Sequence, residues 1–184
     1  MDLILASSSP RRAQLLKELG FSFTINKYDF DEEIPPHISP QKTALFLSQY
    51  KADQLTSIIP GTTIITADTI VLAQQQVIGK PTDKEHAIHT LESLSGHTHH
   101  VVTGVTLTSS EKSKSFEVTT EVTFKTLSKE IIAKYVTDYK PYDKAGSYGI
   151  QEWLGLVGIE KINGSFYNVM GLPTSELYDA LISF

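Results

Sequence analysis

Apolar positions are spaced along this chain in two alternating rhythms. Leu3-Ile4-Leu5-Ala6 is a continuous apolar run suited to a buried strand, broken by Ser7, Ser8 and Ser9. Ser9-Pro10 then reads as an N-cap with proline at the first helical position. Ala13, Leu15, Leu16 and Leu19 form the buried face of the helix that follows, and Gly20 stops it. Alternation over residues 21–26 predicts a strand, followed by an acidic loop with paired prolines. Ser39-Pro40 repeats the cap signal and predicts a long helix to about residue 58, closed by Pro60-Gly61. The β-branched run 62–67 predicts a central strand reaching Asp68-Thr69, after which residues 70–72 continue it or return as its neighbour. Gln74-Gln75-Gln76 marks a hairpin tip.

Thr82 or Asp83 caps a helix with Ala87, Ile88, Leu91 and Leu94 on one stripe, ended by Gly96. Two long strands are expected at about 98–108 and 114–125, joined by a polar turn. Ser128 caps a further helix carrying Ile131, Ile132, Tyr135 and Val136, and a loop rich in glycine and polar residues covers 143–151. A strand near 156–162, a turn at Asn163-Gly164 and a C-terminal helix after Pro173 complete the pattern. No repeat or low-complexity linker interrupts it. The expectation is a single α/β domain over residues 1–184, with a cleft between two lobes as one arrangement.

Composition changes this picture little: 40% of the 184 residues are hydrophobic and 20% charged, as in ordinary globular proteins. The net charge of −5 argues against a general nucleic-acid or membrane-surface binder. Having no cysteine, the chain has neither disulfides nor thiol chemistry. The first residues show neither a basic n-region nor a long apolar h-region, so a cytoplasmic protein is expected.

The candidate chemistry gathers where strands end. A serine turn feeding a helix N-terminus offers orphan N–H groups, hydroxyls and the positive end of a dipole. Arg11 and Arg12 in its first turn repel one another unless an anion sits there, which reads as a phosphate cradle. If the first and the 62–67 strands are parallel neighbours, Asp68 faces the same crevice. A carboxylate beside a phosphate makes sense as a metal ligand or as a base for water. Asp31, Glu32 and Glu33 form a second acidic group; Lys51, Lys80 and Lys144 are candidate phosphate neutralisers. His97, His99 and His100 lack the partners of a zinc site and read as hydrogen-bonding or packing residues. Walker-type, G-x-S-x-G and dinucleotide-binding patterns are all missing.

Leu5-Ala6-Ser7-Ser8-Ser9-Pro10-Arg11-Arg12 resembles the opening signature of the Maf family. Ala67-Asp68-Thr69, Gly79-Lys80-Pro81, Leu94-Ser95-Gly96 with His99 and Thr103, the 143–151 loop, and Val169-Met170-Gly171-Leu172-Pro173 match its later blocks in order. The resemblance implies a nucleoside triphosphate pyrophosphatase with a Maf/ITPase-like fold: an elongated mixed sheet flanked by helices, in two lobes around a deep cleft. It implies cleavage between the α and β phosphates with a divalent cation, magnesium or manganese, and a homodimer. By matching positions, Asp68 is the proton acceptor and, with Glu32, a metal ligand. Ser7, Ser9, Arg12, Lys51, Lys80 and Lys144 bind phosphates, and Asp143 is a further polar site residue. Arg11, Thr69 and Gln151 set specificity, and Arg11 resembles the branch acting on dTTP and UTP rather than the 7-methyl-GTP branch. The alternatives are that sister branch and a non-catalytic nucleotide sensor regulating septum formation.

Overall fold

The computed structural model describes residues 2–28, 30, 33–55 and 57–184. Asp31 and Glu32 therefore lie outside the described residues. In chain order the elements are β1 (Asp2–Ala6), α1 (Pro10–Glu18), β2 (Thr24–Asn26), α2 (Thr43–Asp53), β3 (Thr62–Ala73), β4 (Gln76–Ile78), α3 (Lys84–Leu94), β5 (Thr98–Thr108), β6 (Ser113–Phe124), α4 (Lys129–Tyr139), α5 (Trp153–Gly158), β7 (Ile159–Asn163), α6 (Phe166–Met170) and α7 (Thr174–Ser183). The strands form one seven-stranded mixed sheet in the order β2-β1-β3-β5-β6-β7, with β4 on β3. β1 is parallel to both neighbours, whereas β4 and β7 pair antiparallel with β3 and β6.

The chain divides into two compact units. The first holds residues 1–69, 103–118 and 171–184; the second holds 70–102 and 119–170. Leu5, Leu15, Leu16, Ala44, Ile65, Val105, Leu107 and Leu177 are buried in the first. In that unit α2 lies so close to β5 that a Cβ at Gly104 would meet the Ala44 carbonyl and come within 2.6 Å of Leu45 Cα. Leu91, Leu94, Val122, Phe124, Ile132, Tyr135 and Leu154 are buried in the second.

Local sequence accounts for most boundaries. Ser9 caps α1 by accepting the Arg12 N–H, and Asp83 and Ser128 cap α3 and α4 in the same way. Gln74 and Gln75 turn between β3 and β4 with φ of 50° and 63°, the mirror-image geometry that matches strand twist. Several boundaries differ from the pattern. Pro40–Lys42 is a 3₁₀ turn, and Ser39 makes no side-chain cap bond there. The helix beyond it stops at Asp53, before Ser57 adopts φ 62°. β3 runs on through Asp68 and Thr69 to Ala73, so neither residue ends a strand. Leu156 belongs to α5, and β7 begins only at Ile159.

Candidate active site

Of β3's residues, 62–67 are buried, whereas Asp68 and Thr69 are half-buried. Register supplies the reason: Leu5 pairs with Ile65, β1 ends one residue later, and the following stretch of β3 loses that neighbour. Asp68 and Thr69 are therefore the part of β3 left bare by the end of β1, beside the serine turn.

Strand periodicity then sends the two side chains to opposite faces. Thr66 and Asp68 share one face and meet Ser48 and Lys51, three residues apart on α2. The Thr66 hydroxyl donates to the Ser48 carbonyl at 2.7 Å, and Lys51 Nζ donates to Asp68 Oδ1 at 2.6 Å. Side-chain exposures of 8% for Lys51 and 15% for Asp68 make this a poorly screened pair. A buried ammonium keeps the carboxylate in one orientation, and each charge is compensated by the other.

The opposite face is held by Arg12. Its Nε donates to the Gly171 carbonyl at 2.9 Å, and Nη1 donates to the Ala67 carbonyl at 2.9 Å and reaches Ser7 Oγ at 3.5 Å. Nη2 donates to Thr69 Oγ1 at 3.0 Å. One guanidinium thus bonds the residues immediately before and after Asp68. The planar fork of arginine suits this; a lysine ammonium has no equivalent geometry. Thr69 Oγ1 also lies 3.0 Å from Thr103 Oγ1. Ser7 Oγ accepts the Ser9 N–H at 3.2 Å, closing the turn before α1. Arg11 lies half-buried in the first turn of the same helix.

The first unit therefore brings Ser7, Ser9, Arg12, Lys51, Asp68 and Thr69 together around the start of α1. Arg12 differs in one respect from the sequence expectation of a phosphate cradle. Arg12 directs its donors at protein oxygens on β3 and at Gly171, a tertiary use that local repulsion between two arginines did not reveal.

Lys80, Asp143, Lys144 and Gln151 belong to the second unit. Lys80 is exposed and borders a cavity of about 410 Å³ with Gly79, His86, His89 and Thr90. The Gly146 N–H donates to the Gly79 carbonyl at 3.1 Å, tying the 143–151 loop to the end of β4. Lys144 is buried; its Nζ lies 2.7 Å from Asp143 Oδ1 and 3.1 Å from Glu152 Oε1. Sequence reasoning passed over Glu152, because a carboxylate following Gln151 carries no motif of its own. Gln151 is exposed.

His99 underlies the same loop. Its Nε2 lies 2.7 Å from the Tyr148 hydroxyl, and its ring meets Phe124 and Tyr148 edge-on. Burial, and to a smaller extent the neighbouring His100, lowers its pKa from 6.5 to about 4. It is a neutral hydrogen-bonding histidine, in keeping with the packing role expected of it.

A family model described as "Maf-like protein" matches residues 2–184. The chain belongs to the Maf family. Among its relatives, a "dTTP/UTP pyrophosphatase" of Cytophaga hutchinsonii is 49% identical over 180 residues, covering 98% of this chain and 83% of that protein. A "dTTP/UTP pyrophosphatase" of Bacteroides thetaiotaomicron is 48% identical over 182 residues, covering 98% and 94%. One of Porphyromonas gingivalis is 45% identical over 186 residues, covering 99% and 94%. Among solved structures, a HAM1 protein from Coxiella burnetii aligns over 100% of both chains with a TM-score of 0.53 at 13% identity, a likeness of fold alone. The serine turn, the Asp68 block, Gly79-Lys80-Pro81, Leu94-Ser95-Gly96 with His99 and Thr103, the 143–151 loop and the stretch from Val169 to Pro173 are the segments of this Maf chain by which the family was legible. Among the described residues, no helix is long and apolar enough to cross a membrane.

Proposed function

We propose that this Maf protein hydrolyses dTTP and UTP to the nucleoside monophosphate and pyrophosphate. The names of its relatives support the reading. The observation that carries it is the half-buried Asp68 carboxylate, paired with Lys51 and flanked by the two residues that Arg12 binds, at the start of α1. A site built only to hold phosphates gains nothing from a carboxylate there, since like charges repel. A site that must take a proton from water needs one.

In this mechanism the α1 N-terminus, Ser7, Ser9 and the charge of Arg12 neutralise substrate phosphates. Lys51 is shared between Asp68 and a phosphate oxygen, and Lys80 and Lys144 also act as phosphate ligands, with Asp143 a polar neighbour of Lys144. Asp68 accepts one proton of a water molecule as its oxygen bonds to the α-phosphorus. The bond from that phosphorus to the bridging oxygen breaks, and pyrophosphate carries away the electron pair. Arg11, Thr69 and Gln151 bind polar edges of the pyrimidine; Thr69 offers a hydroxyl already fixed by Arg12 and Thr103. A hydrogen-bonding site left unpaired by the wrong base is costly, which gives selectivity.

The reading includes a divalent cation, magnesium or manganese. The hard carboxylate oxygens of Asp68 suit such an ion, and Asp68 with Glu32 would hold it alongside phosphate oxygens. When bound it supplies charge neutralisation at the phosphates. We take residues 1–184 as one functional domain, with support from the family match over 2–184. The further elements of the proposal are a homodimer, a cytoplasmic location where free nucleotides are met, and no nucleic-acid or membrane partner, in keeping with the net charge of −5.

The test is incubation of dTTP with the protein and magnesium in ¹⁸O-labelled water. Pyrophosphate as product with the label in thymidine monophosphate is expected. Orthophosphate as product would replace the proposal with a phosphatase. Binding without turnover would replace it with a nucleotide sensor.

A further inference from the structure

Lys144 is a long, flexible cation, yet it is buried and its ammonium is held from two sides. The two carboxylates that hold it are unequal. The Asp143 side chain is 58% exposed, so solvent screens its contact and leaves it exchangeable. The Glu152 side chain is 20% exposed, and the residue is held through its backbone and through both carboxylate oxygens. Its backbone N–H donates to the Gly149 carbonyl at 3.0 Å, and its carbonyl accepts from the Gly155 N–H at 2.9 Å. Its Oε2 accepts a hydrogen bond from the Tyr135 hydroxyl, which itself accepts the Gly149 N–H at 2.9 Å. Oε1 is left facing Lys144 Nζ at 3.1 Å.

Gly149 gives a second, independent observation. A Cβ at this position would stand 2.8 Å from Glu152 Cδ and 3.1 Å from Lys144 Cε. Both side chains lie against the bare α-carbon, and any larger residue would displace the pair. The Tyr135 phenol is wholly buried, and burial followed by its bond to Glu152 raises its pKa, so it remains a donor.

We propose that Glu152 is the positioning residue for Lys144, kept in place by the Tyr135 hydroxyl and by the absence of a side chain at Gly149. The inference rests on the assignment of Lys144 to substrate phosphates. Fixing a lysine stem before the substrate arrives removes rotamer freedom that binding would otherwise have to remove. Asp143 then yields to the phosphate while Glu152 retains its contact.

The experiment measures kcat/KM for dTTP in wild type, E152Q, K144M and the double variant, with thermal unfolding recorded for each. Glutamine keeps the volume and the Tyr135 contact but removes the charge facing Lys144. The loss expected for E152Q is about tenfold, the factor that a hydrogen bond to a charged group is worth, and the double variant should be no worse than K144M. A residue that only holds the loop together would give the same loss in both backgrounds, and that result overturns the inference. So does E152Q turnover equal to wild type. K144M turnover equal to wild type would instead remove Lys144 from the phosphates, and the inference with it. Y135F is the second arm, because it releases Glu152 without altering a charge. Its loss should likewise vanish in the K144M background, and a loss that persists there overturns the inference.

Discussion

Lowering the pH should destabilise this fold through His99 in particular. The imidazole is completely buried, its Nε2 is engaged with Tyr148, and its Nδ1 is buried without a hydrogen-bond partner among the described residues. Protonation would place a charge and a second N–H donor in surroundings that accept neither. The folded pKa is about 4 against an ordinary 6.5, so between these values the unfolded chain binds a proton that the folded chain refuses. Stability from this residue is therefore intact above the unfolded pKa and falls as pH drops below it. Linkage puts the loss at about 2 kcal/mol between roughly pH 7.5 and pH 5. Urea unfolding at the two pH values, at fixed protein concentration, measures it in wild type and in His99→Gln. Glutamine can still hydrogen-bond Tyr148 but does not titrate. Carboxylates contribute alike to both proteins, so the comparison isolates His99. The variant should lose about 2 kcal/mol less on acidification. Equal losses in the two proteins would refute the reasoning.

The other predictions concern packing and specificity. Gly104→Ala should lower the unfolding free energy by about 3 kcal/mol, because its Cβ meets the backbone of Ala44 and Leu45, which cannot rotate away; an unchanged thermal midpoint would contradict the close approach of α2 to β5. Arg11→Ala should reduce kcat/KM for dTTP and UTP by about tenfold or more while changing any ATP turnover less. An equal loss for all three nucleotides would assign Arg11 to the phosphates.

What could be read in the sequence was what local chemistry decides. Ser9-Pro10, Asp83 and Ser128 announce their helices because a cap acts within three residues of itself. The parallel pairing of β1 and β3, on which the nearness of Asp68 to the serine turn depended, was a condition that the register fulfils. Tertiary partnerships were not legible. Nothing near Lys51 in the chain foretells its pairing with Asp68, although the i, i+3 spacing of Ser48 and Lys51 does put both on one helix face. Arg12 looked like a phosphate ligand alone because its acceptors, Ala67, Thr69 and Gly171, are remote in sequence. Glu152 was missed for the same reason: its significance comes from Tyr135 and Lys144, which only the fold brings to it. The helix expected to reach residue 58 overshot because Pro60-Gly61 is an obvious terminator and the true end at Asp53 has none. The five-residue α6 is too short to impose a period.

In the proposed reaction everything turns on Asp68 taking the proton from the attacking water. Asp68→Asn keeps the shape and can still meet Lys51, so dTTP affinity and turnover should separate in this one variant. Measured side by side, nucleotide binding should stay within about threefold of wild type while pyrophosphate release falls by about a hundredfold or more, as expected when a general base is removed. Pyrophosphate release at the wild-type rate from the asparagine variant would contradict that role.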